Sequence, residues 1–266
     1  MFSNLYDGFS VNWDQVETDP LIRPLKGVQQ NTNWHKEGDA YIHTCLVTQA
    51  MLDRFSLNDS IVLSSPMENL EHKSLLIHAA LYHDLGKRVT SVQGEDGLWH
   101  APDHAFESRK LLPSGTPDAL GQLIAFHMDV LKLNSEKEIK NIVNLLKGAN
   151  FEQLLFLKEC DILGSQYDEE QKQKDLEKLK ELKTLFYNCV YAPGTEVKIV
   201  YIGEYHNKKL QKNPKDVIQG VLKSVITTDA SIEFIDKTFE EKVTKIINKN
   251  TFLVGHKLYN IYETNN

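Results

Sequence analysis

The chain has 266 residues, and at 41% hydrophobic it can bury one large core, or a main domain beside a smaller one. Its formal net charge of -7 argues against a general surface for duplex DNA, because neutralising phosphates requires clustered Lys and Arg. Three cysteines without CxxC spacing argue against a disulfide framework and favour a reducing compartment.

The N-terminal part of the chain shows neither a targeting nor a membrane signal. No basic region precedes an apolar run, and a run of about 18 apolar residues, the length of a membrane helix, occurs nowhere. We therefore expect a soluble, cytoplasmic protein that does not contact membranes. Residues 1–35 are rich in Asn, Asp, Pro and Trp without sustained periodicity, which predicts an irregular lead-in to the main domain.

The first helix is predicted over residues 40–55, with Asp39 as its N-cap. His43, Val47 and Ala50 follow the i, i+4, i+7 spacing of one helical face. Since the other members of this face are small or apolar, His43 is expected to point toward the interior.

A second helix is predicted over residues 70–85, where Leu76 and His83 share a face and Gly86 supplies the helix stop. This places the His83-Asp84 pair at a helix end. Adjacent residues on a regular helix point about 100° apart, so a single metal ion can use both side chains most easily at such an end.

The middle of the chain alternates short loops and helices. Residues 88–101 are predicted as a glycine-containing loop, and a short helix with His104 at its beginning follows. Pro117 then marks the start of a helix whose apolar face includes His127. One histidine is thus expected at the beginning of a helix and the other on the apolar face of a helix.

Another helix is predicted over residues 136–147, and the next one places Leu154, Leu157 and Asp161 on a common face before Gly164. A carboxylate on an inward-facing apolar stripe needs a polar or charged partner. Asp161 is therefore a candidate for a functional site.

The C-terminal part of the chain has a different texture. Residues 168–188 predict a long surface helix, and we place a domain boundary near Ala192. Beyond it we predict a small mixed α/β appendage. Its strands are expected at 197–205 and 231–235, and its helices at 214–226 and 239–249.

Four of these side chains form a plausible metal-binding set: His43, His83, Asp84 and Asp161. A divalent metal ion of hard or borderline character takes imidazole nitrogens and carboxylate oxygens, and a hydrolytic site leaves one position open. Any one of these histidines is more often structural than catalytic. Their joint occurrence in this order favours a metal site.

A lone His, a later His-Asp pair and a distant Asp resemble the signature of the HD superfamily of metal-dependent phosphohydrolases. The segments IHTCLVTQAML, HDLGKRVT, LWHAPDHAFE, FHMDVLKLN and FEQLLFLKECDILG are similar, in the same order, to the HD domain of bacterial CCA-adding tRNA nucleotidyltransferases. The resemblance covers about residues 40–165. It implies a mainly α fold, with an HD-type helical bundle over 36–191 between the lead-in and the 192–266 appendage. The nucleotidyltransferase catalytic domain itself is not visible.

The resemblance implies that His43, His83, Asp84 and Asp161 bind a divalent metal ion, and that metal-bound water attacks a phosphate ester. The expected substrate is a nucleotide or an RNA-terminal phosphate, including a cyclic phosphate. One or two ions per chain are expected, and Mn, Co, Ni, Fe, Zn and Mg all remain open.

Four further side chains are candidates for the chemistry. The resemblance makes Lys87 a contact to substrate phosphate, although a lysine in a last helical turn can instead complement the helix dipole. His104 and His127 occupy positions of additional active-site histidines, as ligands of a second metal or as proton donors. Arg109 is a weaker candidate for balancing charge on the phosphoryl group.

Two other functions use the same residues. Some HD-fold proteins are di-iron oxygenases, and the six side chains His43, His83, Asp84, His104, His127 and Asp161 would serve that chemistry as well. A non-catalytic nucleotide sensor is the third alternative. The sequence leaves the oligomeric state and the role of the appendage open.

Overall fold

A computed structural model gives the structure of the chain. It describes residues 5–6, 10–57, 59–62, 70–146 and 149–190, and the strands that lie between 196 and 263. The chain divides into two compact units, of which one comprises residues 1–134 and 141–180 and the other residues 135–140 and 181–266.

The first unit is helical, as expected. The helices of the described chain are α1 (Trp13–Thr18), α2 (Ala40–Leu57), α3 (Leu70–Tyr82), α4 (Lys87–Thr90), α5 (His104–Lys110), α6 (Asp118–Phe126), α7 (Glu136–Leu145), α8 (Phe151–Gly164) and α9 (Glu169–Val190). A two-stranded hairpin, β1 (Val92–Gln93) and β2 (Trp99–His100), forms within the predicted loop at 88–101. No helix in these described stretches is both long and apolar enough to cross a membrane.

Helix α8 is the centre of the helical unit. It packs against α2, α3 and α6, and every residue from Phe151 to Ile162 is buried. Asn150 caps its start in a capping box with Gln153, so the backbone N–H groups of these two residues are satisfied by each other's side chains. Gly164 permits the close approach of α2, because a Cβ there would lie 2.6 Å from the backbone nitrogen of Val47.

The end of α3 differs from the prediction. The helix ends at Tyr82, and a turn over residues 83–86 leads into α4. Gly86 adopts a right-handed conformation with φ −65°, so it does not act as a left-handed helix stop. Its lack of a side chain serves another purpose, since a Cβ would lie 2.1 Å from the carbonyl oxygen of His104. The turn and this close contact allow His83 and the next residue to be buried together.

The described part of the N-terminal segment is more ordered than the predicted irregular lead-in. It contains α1 and a 3-10 turn at Arg23–Leu25, and the side chains of Val16, Ile22 and Leu25 are fully buried. Burying these side chains contributes roughly 1.5–3 kcal/mol each. The segment is therefore packed into the helical unit.

The second unit contains the strands β3 (Glu196–His206), β4 (Lys209–Lys212), β5 (Val217–Ile226), β6 (Ser231–Phe234), β7 (Glu241–Lys242), β8 (Lys245–Asn248), β9 (Thr251–Val254) and β10 (Lys257–Glu263). They pair antiparallel in the order β7-β6-β5-β3-β10-β9-β8, and β4 pairs with β3. A register shift between Leu258 and Tyr259 marks an irregularity in the pairing of β10 with β3.

The strands predicted at 197–205 and 231–235 correspond to β3 and β6. The helices predicted at 214–226 and 239–249 are wrong for the described residues, where β5, β7 and β8 lie instead. Val and Ile occupy five positions of 214–226, and β-branched side chains favour extended backbone. In β5 this preference and the pairing with β3 outweighed the helical periodicity. The described part of the appendage is therefore a β-sheet rather than a mixed α/β unit.

Candidate metal centre

Six predicted side chains meet in the interior of the helical unit. They are His43 from α2, His83 and Asp84 from the turn after α3, His104 from the start of α5, His127 directly after α6, and Asp161 from α8. All six are buried, with at most 7% of any residue exposed. Residues distant in the sequence thus converge because five helices direct their ends or faces to one point.

Four of these groups lie at the spacing of ligands around one ion. His43 Nε2 is 3.1 Å from Asp161 Oδ1, 3.3 Å from His83 Nε2 and 3.5 Å from Asp84 Oδ2. His83 Nε2 is 3.3 Å from the same Asp84 oxygen. Ligand atoms about 2.1 Å from a shared ion lie about 3.0–3.5 Å from one another, so this arrangement could hold a divalent metal ion.

Asp84 also faces a second pair of imidazoles through its other oxygen. Its Oδ1 lies 3.2 Å from His104 Nε2 and 3.8 Å from His127 Nε2. The carboxylate therefore stands between two groups of nitrogens. This geometry is compatible with one ion or with two ions that share Asp84.

The Nδ1 atom of each of the four histidines is engaged by an acceptor outside the cluster. His83, His104 and His127 each bond the backbone carbonyl three residues earlier, at 2.8, 2.8 and 2.7 Å. His43 Nδ1 lies 2.9 Å from Glu37 Oε1. With a proton on Nδ1, the Nε2 lone pair faces the cluster, which is the arrangement that metal-binding histidines use.

Glu37 was not identified from the sequence. One of its oxygens accepts hydrogen bonds from His35 Nδ1 at 2.8 Å and His43 Nδ1 at 2.9 Å, and the other accepts from the backbone N–H of Gln166 at 2.8 Å. Burial would raise the pKa of Glu37, but the hydrogen bonds from His35 and His43 outweigh it and lower the pKa. Glu37 therefore remains charged and orients the His43 ring.

Two buried lysines flank the cluster. Lys87 Nζ lies 2.6 Å from Asp84 Oδ2 and donates to Gln30 Oε1 at 2.6 Å. Lys158 Nζ lies 2.7 Å from Asp161 Oδ2. Lys87 begins α4 and is only 7% exposed, so it is not a solvated lysine of a last helical turn. Lys158 was missed, although its position three residues before Asp161 on an inward-facing helix was a usable signal.

The local charges fix the ionisation of the carboxylates. Burial would raise the pKa of Asp84, but the charges of His83 and Lys87 hold it well below its usual value. Burial acts in the same direction on Asp161, where the charge of Lys158 and the hydrogen bond with His43 hold the pKa well below its usual value. Both aspartates are therefore anionic at neutral pH and able to bind a cation.

The pKa values of two of the histidines are shifted in opposite directions. Burial lowers the pKa of His127 well below its usual value, so this ring is neutral at physiological pH. Burial would also lower the pKa of His43, but its hydrogen bonds to Asp161 and Glu37 outweigh that effect and raise the pKa. A metal ion would have to compete with a proton for His43.

One atom of the cluster supports its fit to a metal ion. His104 Nε2 is fully buried and has no hydrogen-bond partner among the described residues, whereas the equally buried Asp84 Oδ2 has the ammonium group of Lys87 at 2.6 Å. A buried polar atom without a hydrogen bond costs about 1–3 kcal/mol, and a cation bound by His104 Nε2 would remove that cost. The mixed nitrogen and oxygen donor set suits a divalent ion.

Four residues of the cluster line a cavity of about 450 Å³, namely Asp84, His104, His127 and Asp161. Together with the two lysines they form a buried part of its lining, which we call the inner end, whereas His43 and His83 are not among the lining residues. Residues of the N-terminal segment, of the hairpin and of the chain around Tyr167 form most of the remaining lining, which we call the outer end. Trp34 of this outer end is 48% exposed, so this part of the lining reaches the protein surface.

Arg109 lies away from the cluster. It does not line the cavity, and its Nη1 donates to Gln122 Oε1 at 3.4 Å. His100, four residues before His104, lines the cavity but pairs at 3.0 Å with the half-exposed Asp96. The structure thus brings His104, and not His100 or Arg109, to the cluster.

A Multifunctional CCA protein from Laribacter hongkongensis (strain HLHK9) is 28% identical to this chain over 158 residues. The match covers 54% of this chain and 35% of the relative, so the chain spans about a third of the length of that relative. No family model matches the chain, and no solved structure matches it. The HD superfamily is therefore not confirmed by a family match. The similarity suggests a relation to CCA-adding enzymes, in line with the resemblance seen in the sequence.

Proposed function

We propose that this protein is a metal-dependent phosphohydrolase that acts on a nucleotide or on an RNA-terminal phosphate. One observation carries the proposal. Imidazole nitrogens and carboxylates converge at the inner end of a cavity, and two buried lysines flank them there. Metal ligands beside fixed cations are what binding and hydrolysis of a phosphate ester require.

The proposed ligands are His43, His83, Asp84 and Asp161, with His104 and His127 as ligands of a second ion when two are bound. The number of imidazoles favours Zn, Fe, Ni, Co or Mn over Mg, which prefers oxygen ligands. A bound ion would lower the pKa of the water molecule it binds and would place a positive charge next to a phosphoryl oxygen. The protein supplies the fixed ligand geometry through the engaged Nδ1 atoms.

Lys87 and Lys158 would bind the substrate phosphate. Each ammonium group has three N–H donors. The contacts of Lys87 with Asp84 and Gln30, and of Lys158 with Asp161, leave donors for phosphate oxygens. The positive charges of the two lysines also reduce the repulsion between an anionic substrate and the two aspartates.

His104 is the better candidate for general acid. It lines the cavity, and its Nε2 has no hydrogen-bond partner in the described part of the chain. With protons on both ring nitrogens, it would donate the Nε2 proton to the leaving oxygen and keep the Nδ1 proton on the carbonyl of Ala101. His127 is neutral at physiological pH because burial lowers its pKa, which fits a ligand better than an acid.

A di-iron oxygenase is the second candidate, because the Asp84 carboxylate stands between two groups of imidazoles and could bridge two irons. The two lysines favour the hydrolase, since they provide a binding site for an anion. The CCA protein relative supports an RNA end or a nucleotide as substrate. Because the match covers 35% of that relative, nucleotide addition is not part of the proposal.

The experiment that tests the proposal is phosphate release from nucleoside 2′-, 3′-, 5′- and 2′,3′-cyclic monophosphates, with each candidate metal added in turn; the cyclic substrates are followed by ring opening. We expect turnover with at least one substrate. Asp53→Asn is the matched control for substitutions of Asp84, since Asp53 is exposed on α2. Oxygen consumption with iron and no turnover of any phosphate ester would replace the hydrolase with the oxygenase.

A further inference from the structure

The outer end of the cavity differs chemically from the inner end. Its lining includes aromatic and amide side chains, namely Gln29, Asn31, Trp34, Trp99 and Tyr167. We propose that this outer end is a nucleoside subsite in which the N-terminal segment selects the substrate and Trp34 stacks on its base. The inference rests on the proposed function, because it takes the phosphate to lie at the inner end.

Trp34 is placed to receive a planar ring. The residue lines the cavity but is 48% exposed. The edge-on contact between its ring and that of Tyr167, at 5.5 Å and 60°, leaves much of the indole uncovered. Tyr167 is itself 8% exposed and donates its hydroxyl to Asp175 at 2.8 Å. The indole thus contacts a fixed support, lines the cavity and keeps about half of the residue surface exposed.

The backbone that carries Trp34 is held before any ligand binds. The N–H of Trp34 donates to the carbonyl of Asn31 at 3.0 Å, and the N–H of Asn33 donates to Asn31 Oδ1 at 3.0 Å. The N–H of Lys36 donates to the carbonyl of Gln166 at 2.8 Å. A preorganised segment binds a ligand at a lower entropic cost than a flexible one.

The same segment reaches the inner end of the cavity. Gln30 is 6% exposed and accepts a hydrogen bond from Lys87 at 2.6 Å, so the wall of the outer end is bonded to the proposed phosphate contact. The neighbouring Gln29 and Asn31 bring amide groups that donate and accept hydrogen bonds. Such groups match the edge of a nucleobase.

The two ends together define the ligand. It must carry a phosphate for the inner end and a planar ring with polar edges for the outer end, and a nucleotide has both. The cavity volume of about 450 Å³ falls within the range of roughly 300–1,000 Å³ that is usual for small-molecule sites. A sugar phosphate would fill only the inner part.

The test compares adenosine and cytidine monophosphates with ribose 5-phosphate, by calorimetric titration of the full chain as purified and with Mn²⁺ added. In the wild type we expect at least one nucleotide to bind tighter than ribose 5-phosphate by about tenfold or more, from stacking of one base. Trp34→Ala should remove that difference and leave ribose 5-phosphate unchanged. Trp34→Phe should retain part of it.

The matched control is Trp13→Ala, because Trp13 is 36% exposed on α1 and does not line the cavity. Equal binding of both ligand types in the wild type, or an unchanged preference in Trp34→Ala, would overturn the subsite. Failure of the hydrolase has a different signature. Nucleotide binding that depends on Trp34, without phosphate release, would contradict the hydrolase and support the subsite. Phosphate release that depends neither on the base nor on Trp34 would support the hydrolase and contradict the subsite.

Discussion

The two ends of the cavity are built in different ways. At the inner end, every ligand candidate lies on a helix or within two residues of one, and each imidazole is bonded by an outer acceptor. At the outer end, most of the wall comes from the non-helical segment 29–35, from the hairpin and from the chain around Tyr167. Under the proposed function, the inner end would supply a chemistry common to all substrates, and the outer end would decide which substrate is accepted.

Among the substitutions at the inner end, Asp84→Asn should cause the largest loss of metal binding and turnover. Asp84 faces both groups of imidazoles, so loss of its charge weakens every ion that the cluster can hold. We expect a loss of at least about 10³-fold in kcat/KM for every substrate, together with a lower metal content. Steady-state kinetics of Asp84→Asn, with Asp53→Asn as the control, measures the loss. Near wild-type turnover of Asp84→Asn would contradict the role of Asp84 as a metal ligand.

Glu37→Gln should lower metal affinity at the same end through the orientation of His43. The substitution keeps the shape but removes the charge that orients the His43 ring. Metal affinity is expected to fall about 10- to 100-fold, as is usual for partners of metal-binding histidines. Competition with a chromogenic chelator measures the affinity, and Glu95→Gln on the exposed loop is the control. An unchanged affinity would show that Glu37 has only a structural role.

Lys158→Met should separate phosphate binding from metal binding. If Lys158 contacts substrate, KM for phosphate esters rises about tenfold or more while the metal content is kept. Lys110→Met provides the exposed control. A loss of metal with unchanged KM would mean instead that Lys158 serves to position Asp161.

The pH dependence of metal binding tests whether a proton competes with the metal ion for His43. Because the pKa of His43 is raised, a proton competes with the metal, and affinity is full above that pKa and is lost as the pH falls through it. The lowered pKa values of Asp84 and Asp161 keep both carboxylates charged over the same range. We expect up to about a tenfold loss of affinity per pH unit below the pKa of His43. An affinity that does not change between about pH 8 and pH 5 would contradict this.

The inner end was largely accessible from the sequence, because helical periodicity placed His43 and Asp161 on inward faces and the His83-Asp84 pair near a helix end. Glu37 and Gln30 were not, since their roles depend on how an aperiodic segment packs against α2 and α4. Gly86 was recognised as important for the wrong reason, because its contact with the carbonyl of His104 is tertiary.

In the C-terminal unit, the local sequence pattern predicted the wrong type of secondary structure. Residues 217–226 contain apolar residues at a spacing that suits a helix, yet they form β5 and pair with β3. Strand pairing joins residues distant in the sequence, and a local pattern does not contain that information. Val and Ile at positions 217, 218, 221, 225 and 226 were the signal that favoured a strand.

The central claim is that the inner end holds a metal ion on which phosphate ester hydrolysis depends. The most direct test is the metal content of the purified protein, followed by phosphate release before chelation, after chelation and after metal is restored. We expect one or two divalent ions per chain, loss of phosphate release on chelation and recovery of release with at least one metal. Undiminished release from the metal-free protein would contradict it, and so would two bound irons with oxygen uptake and no release under any metal.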